Sequence, residues 1–518
     1  MSLSRRQLLS QGAASSLAFL GGMQFLNAPL QAQGRSYAVN PLRIPELLDG
    51  AAESDAKVFG LTAQAGEMEF FEGISTPTIG INGPYLGPTL RFRADDNVRL
   101  NVTNKLHTDT TLHWHGLHLP AAADGGPHQV VRPGATWSPE FKVRQKAAMF
   151  WYHSHLMGAT GAQVNQGLAG LILVEDDESD RLKLPSEYGI DDVPLVIQDR
   201  RFTRDGQLAY LTSMHEKMLG FKGDTILVNG TVRPYFKVRR QRTRLRLLNG
   251  SNARIYNFGF SDLRSFFQIA SDGSLLEKPV SMKAIRLSPG ERAEIVVNMV
   301  SNSHVTLMSY PDTAPVGRMM GGMMRSMVGN DQTFPILELR ADRLETSVTQ
   351  LPTRLVDVPQ WSASHAHRTR NFELNMPMMG MMGGRGSMMG RGHMMGRRGV
   401  SGHSGNLMGI NGRSMDIDRI DERVPLGAIE IWSVVNDTPL AHPFHIHDVQ
   451  FRVLDRNGKP AGAHEAGFKD TVLVDPGEIV RVIAEFADYA DDKNPYMYHC
   501  HILEHEDAGM MGQFVVTA

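Results

Sequence analysis

The chain has 518 residues, 42% hydrophobic and 21% charged, with a formal net charge of −2. Near-neutral charge excludes the basic face of a nucleic-acid binder. A single cysteine excludes a disulfide framework, a cysteine-rich zinc site and an iron–sulfur cluster. What stands out is 20 histidines and 29 methionines. Both residue types bind metals, and thioethers suit cuprous ions. At about 150 residues per domain, the length predicts about three domains.

The N-terminus reads Ser4-Arg5-Arg6-Gln7-Leu8-Leu9, then an apolar stretch from Ala13 to Leu26, then Ala28-Pro29-Leu30-Gln31-Ala32-Gln33. This pattern predicts a twin-arginine export signal over residues 1–32, cut near Ala32. It is too short and too rich in Gly and Ser to suit a membrane span. No other stretch reaches transmembrane length. The expectation is a periplasmic protein, exported by the twin-arginine machinery, with no span in its mature form.

Three Pro-Gly turns recur, at Pro133-Gly134, Pro289-Gly290 and Pro476-Gly477. β-rich sequence follows each: Ala135–Phe141, Glu291–Val297 and Glu478–Phe486. A strand pattern ending at an Asn precedes each: Val98–Asn104, Leu245–Asn249 and Ile429–Asn436. Closely spaced turns between β-branched runs predict an all-β chain of three sandwich repeats. The repeats are expected over 36–178, 184–343 and 352–518. Short helices are expected at Ala162–Gln166 and Leu503–Asp507.

From Met376 to Met415 the third repeat carries an insert of methionine pairs separated by Gly and Arg. No amphipathic face can form at that spacing. A smaller patch holds Met319, Met320, Met323, Met324 and Met327. Both read either as linkers or as collectors of soft cations.

Four segments pair histidines: His113-Trp114-His115, His153-Ser154-His155, His445-Ile446-His447 and His499-Cys500-His501. On a strand, His-x-His puts both rings on one face, about 6–7 Å apart. That suits two ligands of one metal cluster. Alternation sends Cys500 to the opposite face from His499 and His501. Its expected partners are His442, His505 and a weak axial Met510, the arrangement of a blue copper site.

These four motifs, in this order, resemble the multicopper oxidases, and most closely the bacterial periplasmic copper-efflux oxidases. The resemblance covers essentially the whole mature chain. It implies three cupredoxin-like, Greek-key β-sandwich domains and four coppers. By motif position, the type 1 copper takes His442, Cys500, His505 and Met510. The type 2 copper takes His113 and His445. The type 3 pair takes His115, His153, His155, His447, His499 and His501. The cluster would lie between the first and third repeats. Asp124 and Glu506 match the acids that assist proton delivery. The partners implied are O2 and Cu(I) or another small one-electron donor, on a monomer. A copper-efflux enzyme would bind substrate Cu(I) with Met376, Met378, Met379 and Asp437. The family pattern, however, has its Asp one position closer to His442. The resemblance also admits a laccase acting on phenols, or a copper-binding protein without turnover.

Overall fold

A computed structural model describes residues 38–312, 331–345, 350–376 and 408–518. Residues 1–32, read as an export signal, the 319–327 methionine patch, Met378, Met379 and most of the insert lie outside the described residues. The described chain is built of strands, with a few short helices including Thr160–Gln166 and Leu503–Asp507. Six sheets pack as three sandwiches, giving the cupredoxin-like architecture.

Strand Asn97–Asn104 turns Val98, Leu100 and Val102 inward by alternation and helps build the first core. Arg242–Asn249 and Arg292–Asn298 run antiparallel in the seven-stranded sheet of the second sandwich. Ala428–Asn436 and Glu478–Phe486 do the same in the third. Residues 135–141 do not form one strand. Ser138-Pro139 splits them into Thr136–Trp137 and Glu140–Lys142, because proline cannot donate to a ladder. Asn40–Pro41 pairs in parallel with Pro234–Lys237, in a sheet of the second sandwich.

The Asn and Pro-Gly signals turn out to be two halves of one corner, built three times. The backbone N–H groups of Gly134, Gly290 and Gly477 donate to the carbonyls of Asn104, Asn249 and Asn436, at 2.7, 2.9 and 2.7 Å. Each glycine has positive φ, at 79°, 84° and 74°. The buried Asn side chains do the rest. Asn104 Nδ2 donates to the carbonyls of Thr108 and Val131. Asn249 Nδ2 donates to those of Arg254 and Leu287. Asn436 Nδ2 donates to those of Leu440 and Val474. Each Oδ1 accepts from the backbone two residues on, at Leu106, Ser251 and Thr438. These are Asx turns that leave no buried amide unpaired.

The first and third sandwiches are joined by polar pins as well as by the site itself. Tyr496 donates its hydroxyl to Leu119 O at 2.8 Å. His118 bridges Asp448 at 2.7 Å and Asp488 at 3.1 Å. Burial opposes its charge, but Asp448 and Asp488 outweigh burial and raise its pKa to about 9. A raised pKa adds stability in full below the unfolded value near 6.5, lost as pH climbs through about 9. The contribution is at most about 3.5 kcal/mol. His118→Gln should therefore flatten the fall in stability between pH 6.5 and 9, read by urea unfolding across that range.

Candidate metal centres

Histidines of two sandwiches meet at one buried place. His113–His115 is a strand paired with Ala148–His153, and both belong to the first sandwich. His442–Ile446 pairs with Asp491–Cys500 in the third. The rings interleave: His113 stacks on His447 at 3.8 Å, and His115 on His445 at 3.7 Å. Within each His-x-His pair the centroids lie 5.9, 5.9, 5.0 and 5.5 Å apart, in chain order. That is closer than the strand estimate. His155, His447 and His501 each lie just past a strand end, where the backbone turns.

All eight histidines of this cluster are buried. Burial holds their pKa values down, that of His499 to about 4, so the rings are neutral at pH 7. A neutral imidazole has one N–H. Here that hydrogen is directed outward. His113 Nδ1 donates to Asp124 O at 2.9 Å, and His445 Nδ1 to Asp470 O at 2.7 Å. His153 donates to Ser154 O and His499 to Cys500 O. His447 Nδ1 donates to Asp124 Oδ2 at 2.8 Å, and His115 Nε2 to Asp470 Oδ1 at 3.0 Å. Glu506 lies 3.3 Å from Nδ1 of both His155 and His499.

The inward nitrogens are then bare lone pairs, and they face each other. His499 Nε2 is 3.2 Å from Nε2 of both His155 and His447. His153 Nε2 is 3.4 Å from His115 Nδ1. His113 Nε2, His445 Nε2 and both nitrogens of His501 have no hydrogen-bond partner. Converging acceptors without a donor repel each other unless a cation lies between them. Three triplets have donor atoms within 4.8 Å of one another: His115, His153 and His501; His155, His447 and His499; His113, His115 and His445. The outward bonds of His113, His115, His153, His445, His447 and His499 fix ring orientation as metal-binding histidines require.

Cys500 faces away from this cluster, as alternation predicts. Its Sγ lies 3.4 Å from His442 Nδ1 and 3.7 Å from His505 Nδ1, and the two imidazole nitrogens are 3.3 Å apart. Met510 is buried in the same core, and its carbonyl accepts from Cys500 N. Burial pushes the Cys500 thiol up and pulls His505 down to about 4. Softness and geometry of this donor set suit copper.

Some groups that complete the site carry no sequence motif. His442 Nε2 meets Thr438 Oγ1 at 2.7 Å, while Asp437 is exposed beside it. Thr438 thus stands four residues before His442, where the family pattern has an acid. His505 Nε2 donates to Met218 O at 2.9 Å, a carbonyl of helix Met214–Leu219. Glu504 is tied to the second sandwich by Tyr210 Oη, Phe221 N and Asn252 Nδ2. Asp124 and Glu506 are buried against the histidines, and burial raises both carboxyls well above their usual range. Met376 is half-buried and packs on the third core.

Multicopper oxidase family models match residues 62–179, 202–311 and 390–518. The multicopper oxidase mco of Staphylococcus aureus is 35% identical over 489 residues, 93% of this chain and 94% of that protein. The cell division protein FtsP of Dickeya dadantii is 36% identical over 521 residues, 100% of this chain and 99% of that protein. Among solved structures, a laccase-like multicopper oxidase, CueO, from Ochrobactrum sp. has a TM-score of 0.79. It is 36% identical, over 92% of this chain and all of that one, and is described with oxidase activity towards lignin model compounds and lignosulfonate.

Because the buried thiol must lose its proton to bind a metal, copper uptake at Cys500 should strengthen as pH rises. The thiolate-to-copper absorption, titrated into apoprotein at several pH values, reads this, and Cys500→Ser should abolish the band.

Proposed function

This chain belongs to the multicopper oxidase family, and we propose that it oxidises Cu(I) with O2 to support copper tolerance in the periplasm. The balanced reaction is four Cu(I), one O2 and four protons giving four Cu(II) and two waters. The observation that carries an oxidase reading is one short segment. Cys500 sits in the His442/His505 pocket, while its covalent neighbours His499 and His501 sit in the histidine cluster.

In this reading His442, Cys500, His505 and Met510 hold a type 1 copper. His113 and His445 hold the type 2 copper. His115, His153 and His501, with His155, His447 and His499, hold the type 3 pair, four coppers in all. Copper there would exchange single electrons and offer a place for O2. The chain supplies the rest. The Cys500 backbone gives a covalent path of a few bonds between the two pockets. Asp124, bonded to His447, and Glu506, against His155 and His499, are placed to hand protons inward.

Cu(I) as donor is supported by the methionine pairs of the insert, whose thioethers suit that ion. Met376, Met378, Met379 and Asp437 are the proposed substrate ligands; Asp437 is exposed on the loop leading to His442. All proposed ligands lie in one chain, in keeping with a monomer. Among the described residues no helix is long and apolar enough to cross a membrane. Periplasmic location rests on the twin-arginine pattern of residues 1–32.

A laccase acting on phenols is the second reading, supported by likeness to an enzyme described with lignin model compounds. A copper-binding role without turnover is a third reading; the chain is also similar to a cell division protein. The converging donors argue for turnover, and O2 uptake by the copper-loaded protein decides it.

Deleting 377–407 should lower kcat/KM for Cu(I) at least tenfold and spare phenol oxidation; intact Cu(I) oxidation would refute the collector role. Glu506→Gln should lower kcat by about 10²–10⁴, the usual range for a proton-transfer group, read by steady-state O2 consumption.

A further inference from the structure

The second sandwich carries none of the paired histidines, yet one of its side chains reaches the cluster. Arg292 opens the strand Arg292–Asn298, just after the Pro289-Gly290 turn, and is fully buried. All five of its guanidinium N–H groups are used. Nη1 donates to Asp470 Oδ1 at 2.7 Å and Nη2 to Asp470 Oδ2 at 2.6 Å, a two-pronged grip on the carboxylate. Nη1 also donates to Gly290 O, and Nη2 to Asp272 O. Nε donates to Met149 O at 3.1 Å. Thus one guanidinium binds the first sandwich at Met149, the second at Gly290 and Asp272, and the third at Asp470.

Asp470 in turn touches the histidines through both its ends. Its Oδ1 accepts from His115 Nε2 and from Thr471 Oγ1, and its carbonyl accepts from His445 Nδ1. These two rings stack on each other across the boundary between the first and third sandwiches. A Cβ on Gly116 would lie 2.3 Å from Asp470 Oδ2, so only glycine after His115 admits the carboxylate.

His115 is the ring whose outward hydrogen sits on Nε2 and whose inward lone pair is on Nδ1. His113, His153, His445, His447 and His499 donate outward from Nδ1. The rotation of the Asp470 carboxylate therefore decides which nitrogen of His115 faces the cluster. A planar fork gripping both oxygens fixes that rotation; an ammonium, a point charge, does not.

We propose that Arg292 is a positioning residue for the oxygen-reducing cluster, acting through Asp470 to fix the tautomer of His115 and the seat of His445. This rests on the reading that those histidines hold copper. The test uses full-length, copper-loaded protein with Arg292→Gln and Arg292→Lys. Both should keep the absorption of the Cys500 site, which reports a folded third sandwich. Arg292→Gln should change the type 2 electron paramagnetic resonance spectrum and hold cluster copper about 10–100-fold less tightly against a chelator. Arg292→Lys should restore charge but only part of the spectrum. If Arg292→Gln does not fold, Asp470→Asn keeps the guanidinium's bonds to Met149, Gly290 and Asp272 and should show the same spectral change. Variants with the wild-type spectrum and copper retention would overturn the role of Arg292. Wild-type protein that binds copper only at Cys500 would instead overturn the cluster reading.

Discussion

A neutral imidazole has one hydrogen to give, and the architecture of this protein follows from where that hydrogen goes. Burial keeps the rings neutral. A carbonyl or carboxylate outside each anchored ring takes its hydrogen, so a lone pair must point inward. Lone pairs 3.2 Å apart are unfavourable on their own. Rigid backbone on both sides holds them there. Two sandwiches supply that backbone, and their cores rather than the cluster provide the driving force for folding.

The three repeats divide the work. The first and third present donors on strands and just beyond strand ends. The second presents no paired donors but reaches outward at several points: Arg292 to Asp470, Met218 O to His505, and Asn252 to Glu504. Cys500 divides the third repeat internally. With Phe444 and Ile446 it belongs to the core, while His445 and His499 face the boundary between sandwiches.

Much of this was legible in the sequence because the signals were periodic or local. His-x-His, the placement of Cys500 and the Asn to Pro-Gly spacing all follow from strand alternation or turn chemistry. What escaped was tertiary. Arg292 and Asp470 are 178 residues apart and carry no motif. His118 belongs to no motif, and its partners Asp448 and Asp488 lie more than 300 residues on. Asp437 drew attention as the acid before His442, whereas Thr438 makes the contact, because the Asn436 turn directs residue 438 inward. Strands end inside three of the four motifs, a boundary that alternation cannot reveal.

The thrice-built corner has a bearing on the order of assembly. Asn249 and Gly290 form it in a sandwich that presents no paired histidines, with the bonds used at Asn104 and Asn436. The corner therefore needs no ion to close. The loop from Asn436 to His442 is shaped by amide hydrogen bonds, and the pocket around Cys500 can exist before anything enters it. At that corner, the shape of the pocket is set by the chain and not by its contents.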